Sequence, residues 1–129
     1  MQKRQVLSIL LLVGAGMFVG GCVVAAVGAG AAGTVAFIKG DLEAAEAKKL
    51  DVVYDATLKA LEELELPVSQ KSKDKMSALI VAHDARSKKI KIKLHATTEE
   101  TTKISIRVGW FGSESKSRMI YEEIQKNLQ

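Results

Sequence analysis

Hydrophobic and polar residues alternate along the second half of the chain. In the stretches 88–95 and 102–109, Ile, Leu or Val recurs at every second position, and Lys, Arg or Ser fills most positions between. The stretch 77–84 is apolar at five consecutive positions, 78–82. A period of two belongs to β-strands, and this alternation is typical of a sheet with one buried and one solvated face. Short polar connections separate the three stretches, so the pattern predicts an antiparallel meander.

Two other stretches have the period of an α-helix. Residues 51–65 carry apolar side chains at spacings of three and four, and Pro67 ends the pattern. Residues 113–128 repeat this spacing and open with Ser113, a residue type that caps helix N-termini. The predicted apolar stripes are Leu50, Val53, Tyr54, Leu58, Leu61 and Leu64 in the first helix, and Ile120, Tyr121, Ile124 and Leu128 in the second.

The pattern is ambiguous between residues 35 and 45. This stretch begins with β-branched and aromatic residues, whereas 43–49 favours a helix by composition. We predict a strand over 35–45, with a helix as the open alternative, and a short extended segment over 68–71. The expected fold class is α+β: a two-layer sandwich of about four antiparallel strands with two helices on one face, in the order β-α-β-β-β-α.

The beginning of the chain has a different character. Lys3 and Arg4 precede a run, 6–38, that contains no charged residue. Within it, the stretch 19–22 reads Val-Gly-Gly-Cys and ends in the only cysteine of the chain. A basic head, an apolar middle and a small-residue exit are the parts of a secretory signal peptide. The stretch 19–22 resembles a bacterial lipobox.

The lipobox resemblance implies cleavage between Gly21 and Cys22, a diacylglycerol on the Cys22 thiol, and an acyl chain such as palmitate on the new amine. The predicted division is a signal peptide over 1–21, a lipidated cysteine with a Gly/Ala spacer over 22–33, and one α/β domain over 34–129. The apolar run would also suit an uncleaved transmembrane anchor. The small residues before Cys22 and the glycines after it favour cleavage.

Location follows from the anchor. Val23 stands after the cysteine, where an Asp would favour retention in the inner membrane. We therefore expect a lipid-anchored protein of the cell envelope, in the outer membrane and facing the periplasm. The expected first partner is the lipid bilayer, through acylated Cys22.

Composition narrows the function classes. Of the 129 residues, 108 remain after residues 1–21 are removed, and the loss of Lys3 and Arg4 lowers the net charge from +4 to +2. That charge is too small to indicate a nucleic-acid partner. Gly28-x-Gly30-x-x-Gly33 matches the dinucleotide fingerprint, but a membrane signal stands where its first strand should be. We expect no cofactor.

No residue pattern indicates catalysis or a metal site. The chain has a single cysteine, and its two histidines, His83 and His95, are predicted to lie about 20 Å apart at 3.3 Å per strand residue. Both histidines are expected at the surface or at a sheet edge. The domain is therefore not expected to be an enzyme.

The wet face of the predicted sheet carries candidate binding residues. If Leu94 opposes Ile104 in the core, then Lys93 opposes Ser105 and Lys91 opposes Arg107 on the other face. Lys91, Lys93 and Arg107 would then meet an anionic lipid surface or another polyanion. The interpretation that the sequence favours is a solvated lysine-rich face that prevents edge-to-edge aggregation.

Two apolar features remain. Leu79 and Val81 would lie on the same wet face, where a protein partner, a second copy or the N-terminal segment would cover them, unless they are simply exposed. Trp110 and Phe111 follow the last strand and either form a docking tip or close the core against the last helix. We expect core closure.

Several motifs together point to a family. They are Phe37-x-x-Gly40-x-Leu42, Leu50-Asp51-x-Val53-Tyr54-x-Ala56, and Ile106-Arg107-Val108-Gly109-x-Phe111-Gly112 followed by Ser117. With the lipobox and spacer, they resemble a family of small bacterial lipoproteins catalogued as a domain of unknown function. The resemblance implies a periplasm-facing α/β domain without catalytic residues.

The expected function is that of a membrane-anchored, non-catalytic lipoprotein whose domain binds an envelope protein or an anionic lipid surface. One alternative is a periplasmic carrier of a small apolar ligand, with a pocket between helices and sheet. Another is an uncleaved single-pass anchored protein. An enzyme is the last alternative.

Overall fold

The structure is a computed structural model in which residues 35–129 are described, and they belong to one compact unit, Gly33–Gln129. Six strands and two helices follow one another in the order β-β-α-β-β-β-β-α. The elements are β1 (Val35–Ile38), β2 (Asp41–Glu46), α1 (Leu50–Glu63), β3 (Val68–Lys73), β4 (Ser77–His83), β5 (Lys89–Thr98), β6 (Thr101–Val108) and α2 (Glu114–Leu128).

The six strands form one fully antiparallel sheet with the spatial order β1-β2-β6-β5-β4-β3. The meander β3 to β6 supplies four neighbouring strands. The hairpin β1–β2 then adds to the free edge of β6, so β2 pairs with the last strand of the sequence and β1 becomes the outer edge of the sheet. α1 connects β2 to β3 at the far edge of the sheet. Pairings between distant parts of the chain therefore fix the topology.

Both helices pack on one face of the sheet and against each other. That face carries the apolar positions of the period-two pattern, among them Ile80, Ile92 and Ile104, all fully buried. From α2, Ile120, Tyr121 and Ile124 complete the core. None of the described residues forms a layer over the other face, which we call the open face. The α+β class and the two helical stripes agree with the pattern in the sequence.

The predicted number and order of strands are wrong. The stretch 35–45 is a hairpin rather than one strand, because Lys39 and Gly40 both have positive φ (52° and 91°), as a two-residue type I′ turn requires. The segment expected over 68–71 is a full strand, β3, paired with β4 at the sheet edge. Every residue of β3 is exposed, so it has no hydrophobic alternation that sequence analysis could detect.

Helix ends follow local chemistry. Ser113 caps α2 as predicted, because its hydroxyl accepts a hydrogen bond from the Lys116 amide (3.5 Å). At α1, Lys49 occupies the N-cap position without a side-chain hydrogen bond, and Asp51 lies in the first turn. In α2, the Ser117 hydroxyl is buried and has no hydrogen-bond partner among the described residues.

The predicted signal peptide over 1–21, the cleavage site between Gly21 and Cys22, the lipidation of Cys22 and the spacer over 22–33 lie outside the described residues. Within residues 35–129, neither helix has the length and hydrophobicity needed to cross a bilayer.

Candidate functional site

Three connections meet at one end of the sheet, which we call the apex. They are the β1–β2 turn, the β4–β5 turn (84–88) and the β6–α2 loop (109–113). The strand register explains why these connections lie together. Ile38 pairs with Asp41 across the β1–β2 turn, and His83 pairs with Lys89 across the β4–β5 turn. The apex therefore joins segments that are far apart in the sequence.

Two large aromatic side chains project from the apex into solvent. Trp110 is 85% exposed and Phe111 is 86% exposed, whereas the next most exposed large apolar side chain among the described residues, Met76, reaches 54%. Our expectation that the two rings close the core is wrong. The loop that carries them lies beyond the end of the sheet, and the stripe of α2 already fills the space between helix and sheet.

The aromatic loop is held by a close backbone contact with the β1–β2 turn. A Cβ atom added at Gly112 would lie 2.2 Å from the Gly40 carbonyl oxygen, and one added at Gly40 would lie 2.7 Å from the Phe111 oxygen. Both glycines have positive φ, 83° and 91°. Only glycine allows two backbones to approach this closely in that conformation.

Arg107 locks the same contact with its guanidinium group. It donates hydrogen bonds to the Asp41 carboxylate (2.8 Å), to the Lys39 carbonyl (3.1 Å) and to the Trp110 carbonyl (3.1 Å). One side chain therefore ties the β1–β2 turn to the aromatic loop. Arg107 was expected to contact anions on the sheet surface, but its donors are engaged in this clamp.

The predicted register on the open face is confirmed. Leu94 pairs with Ile104, Lys93 with Ser105, and Lys91 with Arg107. Lys91 also lines a surface groove of about 560 Å3 beside the aromatic loop. The groove is lined by Lys88, Lys89, Lys91, Arg107, Gly109 and Trp110.

Lys93 does not reach this groove. It lines a separate surface groove of about 480 Å3 together with Leu79 and His95. Val81, on the same open face, is only 5% exposed although no layer of described residues covers it. Its neighbours in the adjacent strands are Gln70 and Lys91. The two apolar residues of β4 therefore form no broad exposed patch.

The carboxylates near the apex are already engaged. Asp41 pairs with Arg107. Asp84 accepts hydrogen bonds from the amides of Lys88 and Arg86 (2.8 Å each) and from the Lys116 ammonium (3.0 Å). The Lys88 amide and then the Lys116 ammonium are the main causes that lower the pKa of Asp84 to about 2. Asp84 therefore stays ionised and serves the fold of the turn.

None of the ion pairs within residues 35–129 includes Lys88, Lys89 or Lys91. These three lysines line the groove next to the aromatic loop without a carboxylate partner, and Lys88 and Lys89 are exposed while Lys91 is half-buried. We call them the apex lysines.

The remaining polar cluster of note serves packing. The Tyr121 hydroxyl donates to the Glu46 carboxylate, and the Gln125 amide donates to the Tyr121 oxygen (3.0 Å). Burial, and then the hydrogen bond to Glu46, raises the pKa of Tyr121. The cluster fastens α2 to the end of β2.

Metal ligands do not converge in the described part of the chain. No group of three or more His, Cys, Asp or Glu side chains there is placed to hold a metal ion. His83 pairs with Lys89, and His95 pairs with Ser77 at the opposite end of β4. The two histidines are therefore separated by the length of that strand.

The apex unites residues from two of the motifs identified in the sequence. Gly40 comes from the first motif, and Arg107, Gly109, Phe111 and Gly112 come from the third. The aromatic pair is visible in the sequence, where its apolar character predicts a place in the core. The sequence feature that favours an exposed position of the aromatic pair is the two flanking glycines, Gly109 and Gly112. Glycines at both ends allow the loop to turn away from the sheet.

A search of curated proteins finds no match to the chain. A family model described as "Protein of unknown function (DUF3568)" matches residues 5–127, which include all six strands, α1, and α2 except its last residue. The chain therefore belongs to this family of proteins of unknown function.

Proposed function

We propose that the protein is a lipid-anchored, non-catalytic binding module of the bacterial cell envelope, and that its domain contacts its partner through the apex. The observation that carries the proposal is the exposure of Trp110 and Phe111 on a loop that the fold holds rigidly. Large exposed apolar groups on a soluble domain commonly mark an interaction site.

The rigidity of the loop supports a binding role. Gly40 and Gly112 touch through their backbones, and Arg107 bonds both segments, so the two rings are presented in one arrangement before any partner arrives. A preorganised contact loses less conformational entropy on binding than a mobile loop does. Contacts that fix two solvent-exposed rings in one position support a role of those rings in binding.

The anchor is proposed from the sequence. The lipobox-like stretch 19–22 places a unique cysteine where a lipoprotein carries its diacylglycerol. Two or three acyl chains give stable attachment, since each buried methylene contributes about 0.8 kcal/mol. Intact mass of the membrane-extracted protein tests this. We expect a chain that starts at acylated Cys22, and a Cys22→Ser variant that lacks the added lipid mass. A full-length unmodified chain starting at Met1 would refute lipidation.

The carrier alternative has less support. Its pocket was expected between the helices and the sheet, but those surfaces are packed with fully buried residues such as Leu61, Ile92 and Ile124. The grooves found on the described residues are open surface grooves, and the one of about 560 Å3 lies beside the apex. That placement favours a surface contact over an enclosed ligand.

Site-specific photocrosslinking in the native envelope tests the apex as the contact site. A photoreactive phenylalanine analogue replaces Phe111 in one sample and Met76 in a control. Met76 is also solvent-exposed but lies at the other end of the sheet. We expect a discrete lipid or protein adduct at position 111 and none at position 76. Absence of any adduct at position 111, or equal adducts at both positions, would contradict the proposal.

A further inference from the structure

The apex combines solvated aromatic rings with cations, as do protein segments that bind membrane surfaces. We propose that the apex inserts into the interface of an anionic lipid bilayer. Trp110 and Phe111 enter the boundary between headgroups and acyl chains, and the apex lysines lie against the lipid phosphates. This inference rests on the proposed function, because it names the partner of the same site.

The shape of the apex favours a bilayer over a protein. A stable protein interface buries roughly 800 Å2 on each partner and has an apolar centre surrounded by a polar rim. Among residues 35–129, the only other large apolar side chain near the aromatic loop with substantial exposure is Ile38, at 49%. Two projecting rings suit a fluid surface that closes around them, because such a surface needs no complementary pocket.

The charge of the apex selects an anionic surface. Lys89 and Lys91 lie on the open face of β5, and the stem of Lys88 lies over Gly109, next to Trp110. The nearby carboxylates of Asp41 and Asp84 are held by Arg107 and Lys116. The apex lysines are thus free to contact phosphate groups directly behind the rings. Lysines in this position attract anionic headgroups, and salt weakens the attraction.

The chain between anchor and domain is long enough for this contact. The thirteen Cα–Cα steps from Cys22 to Val35 span at most about 45 Å. β1 covers the height from Val35 to the apex, which is about 13 Å at 3.3 Å per residue. The apex can therefore reach the same bilayer that holds the anchor.

The chain contains its own probe, because Trp110 is the only tryptophan. The experiment uses the full chain extracted from membranes and reconstituted into vesicles, either pure phosphatidylcholine or phosphatidylcholine mixed with phosphatidylglycerol. The anchor keeps the domain at both surfaces, whether it is an acylated cysteine or an uncleaved segment. Trp110 emission then reports insertion of the apex rather than attachment of the protein.

We expect a blue shift of Trp110 emission and quenching by brominated acyl chains in the mixed vesicles. Both effects should weaken when salt rises from about 0.1 M to about 1 M, which shortens the Debye length from ~10 to ~3 Å. In pure phosphatidylcholine, Trp110 should remain at its water-exposed wavelength. Unquenched, water-exposed emission in the mixed vesicles would overturn the inference.

Variants separate the two components of the site. Phe111→Ser keeps the probe and should reduce quenching by brominated lipid. Replacing the apex lysines together by Gln should abolish the difference between the two vesicle types. The matched control removes the same charge from exposed positions away from the apex, with Lys48, Lys59 and Lys75 each replaced by Gln, and should behave as wild type. Equal loss in both triple variants would mean that net charge alone acts, and would overturn the assignment to the apex.

Failure of this inference is distinguishable from failure of the proposed function. A discrete protein adduct from position 111, together with unquenched Trp110 in mixed vesicles, would leave the apex as a contact site and overturn the bilayer as its partner. Absence of both adduct and quenching would overturn the inference and the proposed function together.

Discussion

The two ends of the sheet are built from similar connections but differ in what they expose. The end opposite the apex, which we call the base, holds the β3–β4 turn (74–76) and the β5–β6 turn (99–100). Two ion pairs join elements there, Lys49 with Glu100 and Lys73 with Asp51, while Lys48 and Lys75 belong to none of the ion pairs within residues 35–129. Its most exposed large apolar residue is Met76, at 54%, whereas the apex exposes an aromatic pair at 85% and 86%.

The exposure of two aromatic rings is specific to the apex, since the turns at the base do not share it. At the base, each turn is held by local bonds, such as those from the Met76 and Ser77 amides to Asp74 (2.9 Å each). At the apex, contacts between distant segments hold a loop whose two largest side chains contribute little to the core. The stability of the apex is therefore expected to depend on the contacts that hold the loop and not on the two rings that the loop exposes. The following variants test this expectation.

The largest effect is expected from Gly112→Ala. The new methyl group would meet the Gly40 backbone at 2.2 to 2.7 Å, at a φ of 83° that disfavours any side chain. We expect a loss of about 3 kcal/mol in the free energy of unfolding, measured by urea denaturation followed by circular dichroism. Gly109→Ala is the control. Its φ is also positive, but the methyl group would contact only the Lys88 stem at 3.6 Å or more, so about 1 kcal/mol is expected. Equal losses would mean that backbone contact is not what holds the loop.

Arg107→Lys should cost about 2 kcal/mol, because an ammonium group cannot bridge the Asp41 carboxylate and the carbonyls of Lys39 and Trp110 at once. The anisotropy of Trp110 fluorescence should fall as the loop gains freedom. Lys103→Gln is the matched control from the same strand. It removes an exposed ion pair with Glu43 (3.6 Å) and should change stability by less than about 0.5 kcal/mol. Unchanged anisotropy in the Arg107 variant would refute the clamp.

The two turn aspartates should give different pH profiles. Amide hydrogen bonds lower the pKa of Asp74, and the Lys88 amide with the Lys116 ammonium lowers that of Asp84 further, to about 2. Since the folded pKa lies below the unfolded value of about 3.9, the stabilisation is complete above that pH and is lost as pH falls toward 2.

Unfolding free energies of wild type, Asp84→Asn and Asp74→Asn, measured between pH ~7 and ~2, check this expectation. The gap between wild type and Asp84→Asn should shrink as pH falls, and should be wider at neutral pH than the gap for Asp74→Asn. A pH-independent gap for Asp84→Asn would contradict the assigned pKa shift.

Ser117→Ala should raise stability by about 1 kcal/mol, because the buried hydroxyl has no partner and alanine favours the helix. Ser115→Ala, at an exposed position two residues earlier in α2, gives the effect of helix propensity together with the loss of a 3.5 Å contact with the Ser113 hydroxyl, and should stay under about 0.5 kcal/mol. A destabilised Ser117 variant would reveal a hydrogen bond that the hydroxyl makes in solution.

The smallest effect on stability is expected at the aromatic pair. Trp110→Ser and Phe111→Ser remove side chains that are 85% and 86% exposed, so each should change the free energy of unfolding by less than about 0.5 kcal/mol. The same variants should lose the envelope contact of the apex. A loss of about 2 kcal/mol would show instead that the rings pack into the fold.

The elements with a strong local period could be predicted from the sequence. The strands near 77–84, 88–95 and 102–109 and both helices follow from their apolar positions, and the pairing of Leu94 with Ile104 follows from matching buried faces. The strand β3 and the turn that splits 35–45 could not be predicted in this way. β3 is exposed on both faces, and the turn at Lys39 has a non-glycine residue at positive φ.

The sequence by itself determined the period of each core element, the register of the central strands and the membership of the aromatic pair in a glycine-flanked loop. Only the tertiary structure decided where that loop lies. Its position depends on Gly40 meeting Gly112 and on Arg107 reaching Lys39, 68 residues away. Local propensity contains no information about a contact over that distance, because the contact forms only when the β1–β2 hairpin joins β6. That pairing leaves Trp110 and Phe111 in solvent, outside a core that is already full.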